Sequence, residues 1–320
     1  MIRIVMLAGA LLVAATQAVA QDWPAKPVRF IVPFPPGGSV DPLARLMSVR
    51  LGESTKGQFI VENRSGAGGS IGTAAAAKAP ADGYTFVFVF DSHAVNPALI
   101  ANLPFDTAKD FAPVMLVGTA PYAIATAANK PWKSFAEVVS AAKAKPESIS
   151  VASIGNGTLA HLLLVTAQQQ GAFRVTHVPF LGGGPMNQNI LGGQVEMGIG
   201  SAALLSPQVK GGKMRALATA GEKRASALPE VQTLIEQGFP GFTVYAWWGI
   251  FAPAGTPKPI LDRFHGELVK ALSQPDVRKT LGESIGMDLV VSTPEALQKW
   301  TLAEMAKWGK VVRDNSIKAD

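Results

Sequence analysis

The residues of this chain best suited to chemistry are the neutral, glycine-rich turns that lead from strands into helices. The first is Pro33-Phe34-Pro35-Pro36-Gly37-Gly38-Ser39-Val40-Asp41. A short β-rich run, Arg29-Phe30-Ile31-Val32, is stopped by prolines, two glycines free the backbone, and Ser39 and Asp41 offer N-cap chemistry to a following helix. Similar turns follow at Ser65-Gly66-Ala67-Gly68-Gly69-Ser70, Asp91-Ser92-His93, Ser153-Ile154-Gly155-Asn156-Gly157-Thr158 and Leu181-Gly182-Gly183-Gly184-Pro185. Backbone N–H groups at helix starts, with hydroxyls at Ser39, Ser70 and Thr158, suit a small anion such as a carboxylate, and they avoid burying a basic side chain. Read singly, each is also an ordinary tight turn.

Enzyme chemistry has one foothold. Gly68-Gly69-Ser70-Ile71-Gly72 matches the G-x-S-x-G pattern of a hydrolase nucleophile elbow. That elbow needs its serine at the strand-to-helix corner, whereas Arg64 to Ala67 separate Ser70 from the strand ending near Glu62, and with 32 glycines a chance match is cheap. His93, His161, His177 and His265 show no metal-ligand spacing, Gly66-x-Gly68 lacks the third glycine of a dinucleotide fingerprint, and no P-loop lysine pattern occurs. No cofactor or metal is expected.

The elements that must position these turns alternate. Strands are expected at 28–32, 58–62, 84–90 and 114–117, with helices near 41–54, 70–79 and 96–102. Phe86-Val87-Phe88-Val89-Phe90 is the unbroken apolar run of a strand buried on both faces. A second alternating block begins at 122–126, with helices at 134–145, 158–170, 185–191 and from 203, and strands at 149–153, 175–178, 195–199 and 215–219. A helix at 229–237, a long strand at 242–251, helices at 257–273 and from 294 to about 313, and a short strand at 287–291 complete the chain. Leu297, Trp300, Trp308 and Val311 share one face of the last helix and read as core. Too few strands remain for a third domain. The expected architecture is a two-domain α/β protein, with residues 21–121 and 244–320 forming one domain, 122–243 the other, and two crossings near 121 and 244 acting as a hinge. Ligands of such sheets sit beyond the carboxyl ends of the strands.

Composition bounds the rest. The chain has 320 residues, no cysteine, a net charge of +6 and only 16% charged residues. Disulfides and cysteine catalysis are excluded, and nothing resembles a clustered basic nucleic-acid surface. Arg3, the apolar stretch Ile4 to Val13 and Ala18-Val19-Ala20 read as a secretory signal peptide cleaved after Ala20, delivering the mature protein to the periplasm. No membrane-spanning run remains after it.

Several collinear motifs resemble the periplasmic solute-binding receptors of tripartite tricarboxylate transporters, the Bug-type family. They are Pro33-Phe34-x-Pro36-Gly37-Gly38-Ser39-x-Asp41, Val61-Glu62-Asn63-Arg64-x-Gly66-Ala67-Gly68-Gly69-x-Ile71-Gly72, Ala81-Asp82-Gly83-Tyr84-Thr85, Asp110-Phe111-Ala112-Pro113-Val114, Gly155-Asn156-Gly157-Thr158 with His161, Leu191-Gly192-Gly193-Gln194-Val195, Leu217-Ala218 and Ala252-Pro253-Ala254-Gly255-Thr256-Pro257. The resemblance covers nearly the whole mature chain. It implies a periplasmic binding protein of type II-like fold, a monomer whose interdomain cleft closes on a di- or tricarboxylate or an aromatic carboxylate, and a large and a small membrane permease subunit as partners. One carboxylate would be held between the turns at Gly37 to Asp41 and Gly155 to Thr158. Many relatives place an Asp-Asn-like pair where this chain has Gly200-Ser201, so room for a larger distal group is expected there.

On this basis the expected ligand-binding residues are Gly37, Gly38, Ser39, Asp41, Gly69, Ser70, Ser92, His93, Ser153, Gly155, Asn156, Gly157, Thr158, Gly183, Gly200, Ser201 and Trp247. Trp247 is expected at the cleft near the hinge, and Trp248 in the core. Two alternatives to a transport receptor are a ligand sensor that presents its closed form to a signalling partner and, more remotely, a serine hydrolase using Ser70.

Overall fold

The computed structural model describes residues 23–317. The expected signal segment and its cleavage after Ala20 lie outside them. β1 (Val28–Val32), β2 (Phe59–Asn63) and β3 (Thr85–Phe90) are parallel, in spatial order β2-β1-β3, and β9 (Tyr245–Pro253) runs antiparallel beside β3. The connections are α1 (Val40–Thr55), α2 (Ser70–Ala77) and α3 (Ser92–Leu99). The second half holds β5 (Ser150–Ser153), β6 (Thr176–Pro179), β7 (Met197–Ser201) and β8 (Met214–Thr219), with α4 (Phe135–Ala144), α5 (Leu159–Gly171), α6 (Gly183–Leu191) and α7 (Ala202–Lys210).

One strand joins the two halves. β4 (Phe111–Ala127) pairs with β9 along Phe111 to Pro121, and from Tyr122 onward with β7 and β8. The separate strands expected at 114–117 and 122–126 are therefore one strand. Shifts of register between Pro113 and Met115 and between Leu116 and Gly118 absorb the irregularities along it, as bulges do. The helix expected at 229–237 is absent. There Leu234 N–H donates to Thr219 O, and Thr219 N–H donates to Gln232 O, so part of the segment's backbone pairs with β8 and only isolated turns form within it.

The C-terminal helices return to the first half. α8 (Lys258–Ser273) packs on α1, a short α9 (Pro275–Lys279) follows it, β10 (Asp288–Leu289) adds to β4, and α10 (Pro294–Asp314) crosses α3 and β4. Phe264 of α8 lies 3.8 Å from the Phe86 ring, within a cluster that also holds Trp23, Phe30 and Phe88. Leu297, Thr301 and Trp308 of α10 are buried, as its apolar face requires. No helix among the described residues is long and apolar enough to cross a membrane.

Candidate functional site: a neutral cavity between two lobes

The Pro33–Ser39 turn is braced from below. Asn63, at the end of β2, donates from Nδ2 to Phe34 O (3.0 Å) and to Asp41 Oδ1 (2.9 Å), and Asp41 Oδ2 accepts from Arg45 Nε at 3.0 Å. Asp41 therefore shapes the turn instead of facing the cavity. Ser39 is no side-chain cap for α1; its hydroxyl accepts from Trp248 Nε1 at 3.2 Å. The tryptophan near the turn is therefore not Trp247, which was expected at the cleft, whereas Trp248 is in the core as expected and reaches the turn only through its indole nitrogen. Successive strand residues point to opposite faces, and it is Trp248, opposite Phe90 in the β3–β9 register, that reaches the turn. Trp247 is fully buried with Ile31, Val87 and Leu297 on the other face.

In the second turn Ala67, Gly68 and Gly69 all have positive φ (46°, 60° and 88°), a left-handed path that glycine makes affordable. Ser92 Oγ and Asn96 Nδ2 fix it by donating to Gly68 O at 2.8 and 3.1 Å. Ser70 is buried at the start of α2, beyond this path rather than at a corner. His93 is not a cleft residue. Its ring is buried against Phe105, Phe111 and Phe251, and burial lowers its pKa to about 3. His265 bonds Ser292 O, and His161 and His177 stack on each other at 4.3 Å. Among the described residues no group of three or more His, Asp or Glu is placed to hold a metal.

The third turn is braced by those stacked histidines. Ser153 Oγ lies 2.7 Å from His177 Nε2 and accepts from Gly155 N–H at 3.2 Å, while Gly157 N–H donates to His161 Nδ1 at 3.1 Å. The Thr158 hydroxyl donates to Gly155 O at 2.7 Å and is buried. It was expected to contact ligand; its proton is instead committed to the turn. Thr158→Val should therefore weaken binding only by loosening the loop, by about 0.5–1.5 kcal/mol, as titration calorimetry on the folded variant would measure. A loss well beyond that would mean that the hydroxyl turns to the ligand.

Together the turns enclose a cavity of about 600 Å³. Gly69, Gly155, Asn156 and Gly157 line it, whereas Gly38, Ser39, Gly183 and Ser201 line a void of about 20 Å³ beneath, and Phe34, Ile154 and Gly182 border both. Neither lining contains Gly37, Asp41, Ser70, Ser92, His93, Ser153, Thr158, Gly200 or Trp247. Gly200 is a packing glycine, since a Cβ there would stand 2.9 Å from Leu204 Cδ2. Gly37 forms the lip instead: a Cβ on Gly184 would meet Pro36 O at 2.9 Å and Gly37 Cα at 3.6 Å, and one on Gly182 would meet Pro35 at 3.1 Å. The lips of the two halves touch.

Leu99, Ile100, Phe180 and Leu181 also wall the cavity; of these only Leu181 lay in a turn that the sequence marked, and none was expected to contact ligand. The one available clue was position, since Phe180 and Leu181 follow the carboxyl end of β6. The electrostatics come from the backbone. α1, α2, α5 and α6 all begin at the cavity or its inner void, and none is capped by its N-cap side chain. By contrast α4 and α10 are capped by Ser134 and Thr293. Uncapped helix starts leave amide donors at the positive ends of helix dipoles.

A buried pair lies between the halves. Tyr122, where β4 changes partners, donates its hydroxyl to Asp91 Oδ2 at 2.7 Å, and both side chains are wholly buried. Burial pushes the Asp91 carboxyl well above the usual range, more than the Tyr122 hydrogen bond lowers it, and Glu304 on α10 pushes the same way. Burial, and then Asp91 itself, raises Tyr122.

Comparison with known proteins agrees with this geometry. Residues 43–317 match the model of the tripartite tricarboxylate transporter family receptor. A Pseudomonas sp. (strain P51) protein, described as a UPF0065 protein in the tcbD-tcbE intergenic region, is 34% identical over 98% of this chain and 94% of its own. Among solved structures, the periplasmic binding protein BugD superposes with a TM-score of 0.87 at 29% identity, covering 92% of this chain and 99% of that one. The R. palustris protein Rpa4515, solved with adipate, gives a TM-score of 0.87 at 30% identity over the same shares.

Proposed function

The chain belongs to the tripartite tricarboxylate transporter receptor family, and on that premise we propose that it is a periplasmic receptor that closes on a small carboxylate and delivers it to a large and a small permease subunit. The observation that carries the reading is that four helix starts, uncapped by side chains, lie at the cavity between the two halves or at the small void that adjoins it. Such donors bind an anion without a buried counter-charge. The adipate bound by Rpa4515 supports the same ligand chemistry. The lobes are residues 21–121 with 244–320, and 122–243. They rotate about β4 near Pro121 and the entry to β9 near Val244, whose N–H and C=O bond Ala220 O and Tyr122 N–H. The protein works as a monomer after losing residues 1–20.

The test is a thermal-shift series with carboxylic acids and their primary amides. A bound acid at about 100 times its Kd should stabilise the protein by about 2.7 kcal/mol, with the matching amide giving far less. Amides that stabilise as well as the acids would defeat the anion reading.

A further inference from the structure

The lobes meet a second time, away from the cavity. The short α9 runs on into a π-helical turn, Thr280–Ile285, and the chain that follows is fastened to the first lobe by β10 and beyond it, where Val290 N–H donates to Val117 O at 2.9 Å and Ser292 N–H to Leu116 O at 3.0 Å. Leu281 and Met287 are buried. A helix leaves its last carbonyls without partners of its own. Here two of them find partners in the other lobe. Lys210 Nζ donates to Glu283 O at 2.6 Å and Ser206 Oγ to Ile285 O at 3.2 Å, both from α7. Ser226 Oγ donates to Asp288 Oδ1 at 2.5 Å, and Gly286 is seated so closely that a Cβ on it would stand 2.7 Å from both Ala227 Cβ and Ser206 Oγ.

This seam has the character of one that parts. Its hydrogen bonds are polar links, and beside them runs a groove of about 550 Å³ between Lys210, Ser226 and Ala227 of one lobe and Arg278, Glu283 and Asp288 of the other. Small, polar interdomain contacts permit relative motion, whereas large apolar ones hold domains fixed. None of these residues lines the cavity or its inner void, yet α7 reaches both places. Leu204, near its start, borders the void, and Ser206 and Lys210 meet the π-helical turn. A rotation about β4 that parts the lips therefore carries α7 past that turn, and a displacement of about 1 Å takes such hydrogen bonds out of range.

We infer that the seam is a latch: α7 caps the π-helical turn across the lobes when the cleft is shut, so Ser206 and Lys210 favour the closed form and set the affinity from outside the cavity. This rests on the reading above that the lobes close on a carboxylate. The lips touch in this structure, with Gly184 against Gly37, and the seam is made in that same arrangement. Cations near the end of a helix also suit its dipole, which is the place Lys210 takes from the opposite lobe. A ligand that needs the closed form binds more tightly as that form is more populated, so whatever the seam contributes to closing appears in the measured affinity.

The experiment is titration calorimetry with whichever of adipate, malate and benzoate binds the parent most tightly. Ser206→Ala combined with Lys210→Met should weaken that acid roughly tenfold, since each substitution removes one hydrogen bond of the closed form. Lys210→Arg keeps a donor and should bind like the parent. Lys213→Met removes the same charge from an exposed side chain just beyond α7 and should leave affinity unchanged. Urea unfolding confirms that each variant is folded. A folded double variant that binds as tightly as the parent, or more tightly, overturns the latch and leaves the carboxylate reading standing. So does a loss in Lys213→Met equal to that in Lys210→Met, which would be a long-range effect of charge on the anion. No binding of any of the three acids by the parent removes the carboxylate reading, and the latch with it.

Discussion

Gly184→Val should lower ligand affinity by 100-fold or more, about 2.7 kcal/mol, while leaving the ligand-free protein folded. Gly184 lies in the first turn of α6 and is not among the glycines with positive φ, so a side chain does not strain its own backbone. What it strains is the approach of the lobes. The added Cβ would stand 2.9 Å from Pro36 O, with Gly37 immediately behind, and backbone on both sides leaves little room to yield. The branched side chain would hold the lips apart, and the energy of closing the cavity would be lost with them. Gly266→Ala is the control, because it lies on α8 with open space around it. Titration calorimetry would read the affinity and small-angle scattering the separation of the lobes. Unchanged affinity with an unchanged scattering profile would show that lip contact is not needed for capture.

The second large effect concerns the buried pair between the lobes. Tyr122→Phe should destabilise the protein by about 1–3 kcal/mol. Asp91 Oδ1 has no hydrogen-bond partner among the described residues, and the substitution would remove the donor from Oδ2 as well. Asp91→Asn keeps the shape and the acceptor for Tyr122. Its pH dependence follows from linkage. A carboxyl whose folded pKa is raised binds its proton more tightly in the native state, so its contribution is full below the unfolded pKa of about 3.9 and is lost as pH rises toward the folded value. Asp91→Asn should remove that slope, so the stability difference between the variant and the parent, measured by urea unfolding, should shift in favour of Asn as pH rises from 4 to 8. A difference that stays constant over that range would mean that Asp91 does not titrate on unfolding, and the raised carboxyl would be refuted.

The same residues show what local sequence can and cannot determine. Periodicity located β1, α1, β3, α5, α8 and α10, because core-facing helices and doubly buried strands need apolar residues at fixed spacing whatever surrounds them. Glycine and proline marked the turns that border the cavity, because positive φ and strand exits restrict residue type locally. Together with the family motifs, this was enough to read a two-lobed α/β fold and to point to the turns that border its cavity. Tertiary structure decided the rest. Whether Trp247 or Trp248 meets Ser39 depends on which face of β9 lies toward the turn, and strand pairing with β3 and β4 fixes that, not the dipeptide. Whether the Thr158 hydroxyl serves ligand or loop depends on where the carbonyl of Gly155 points. His93 became core because Phe105, Phe111 and Phe251, distant in sequence, close around it. Phe180 and Leu181 became cavity wall because folding set them opposite Leu99 and Phe34 across a space that no run of residues encodes. Backbone conformation is restricted by each residue and its neighbours, so it leaves a mark on the sequence; a side chain's partner is set by which distant segments pack together, and that is decided only when the chain folds.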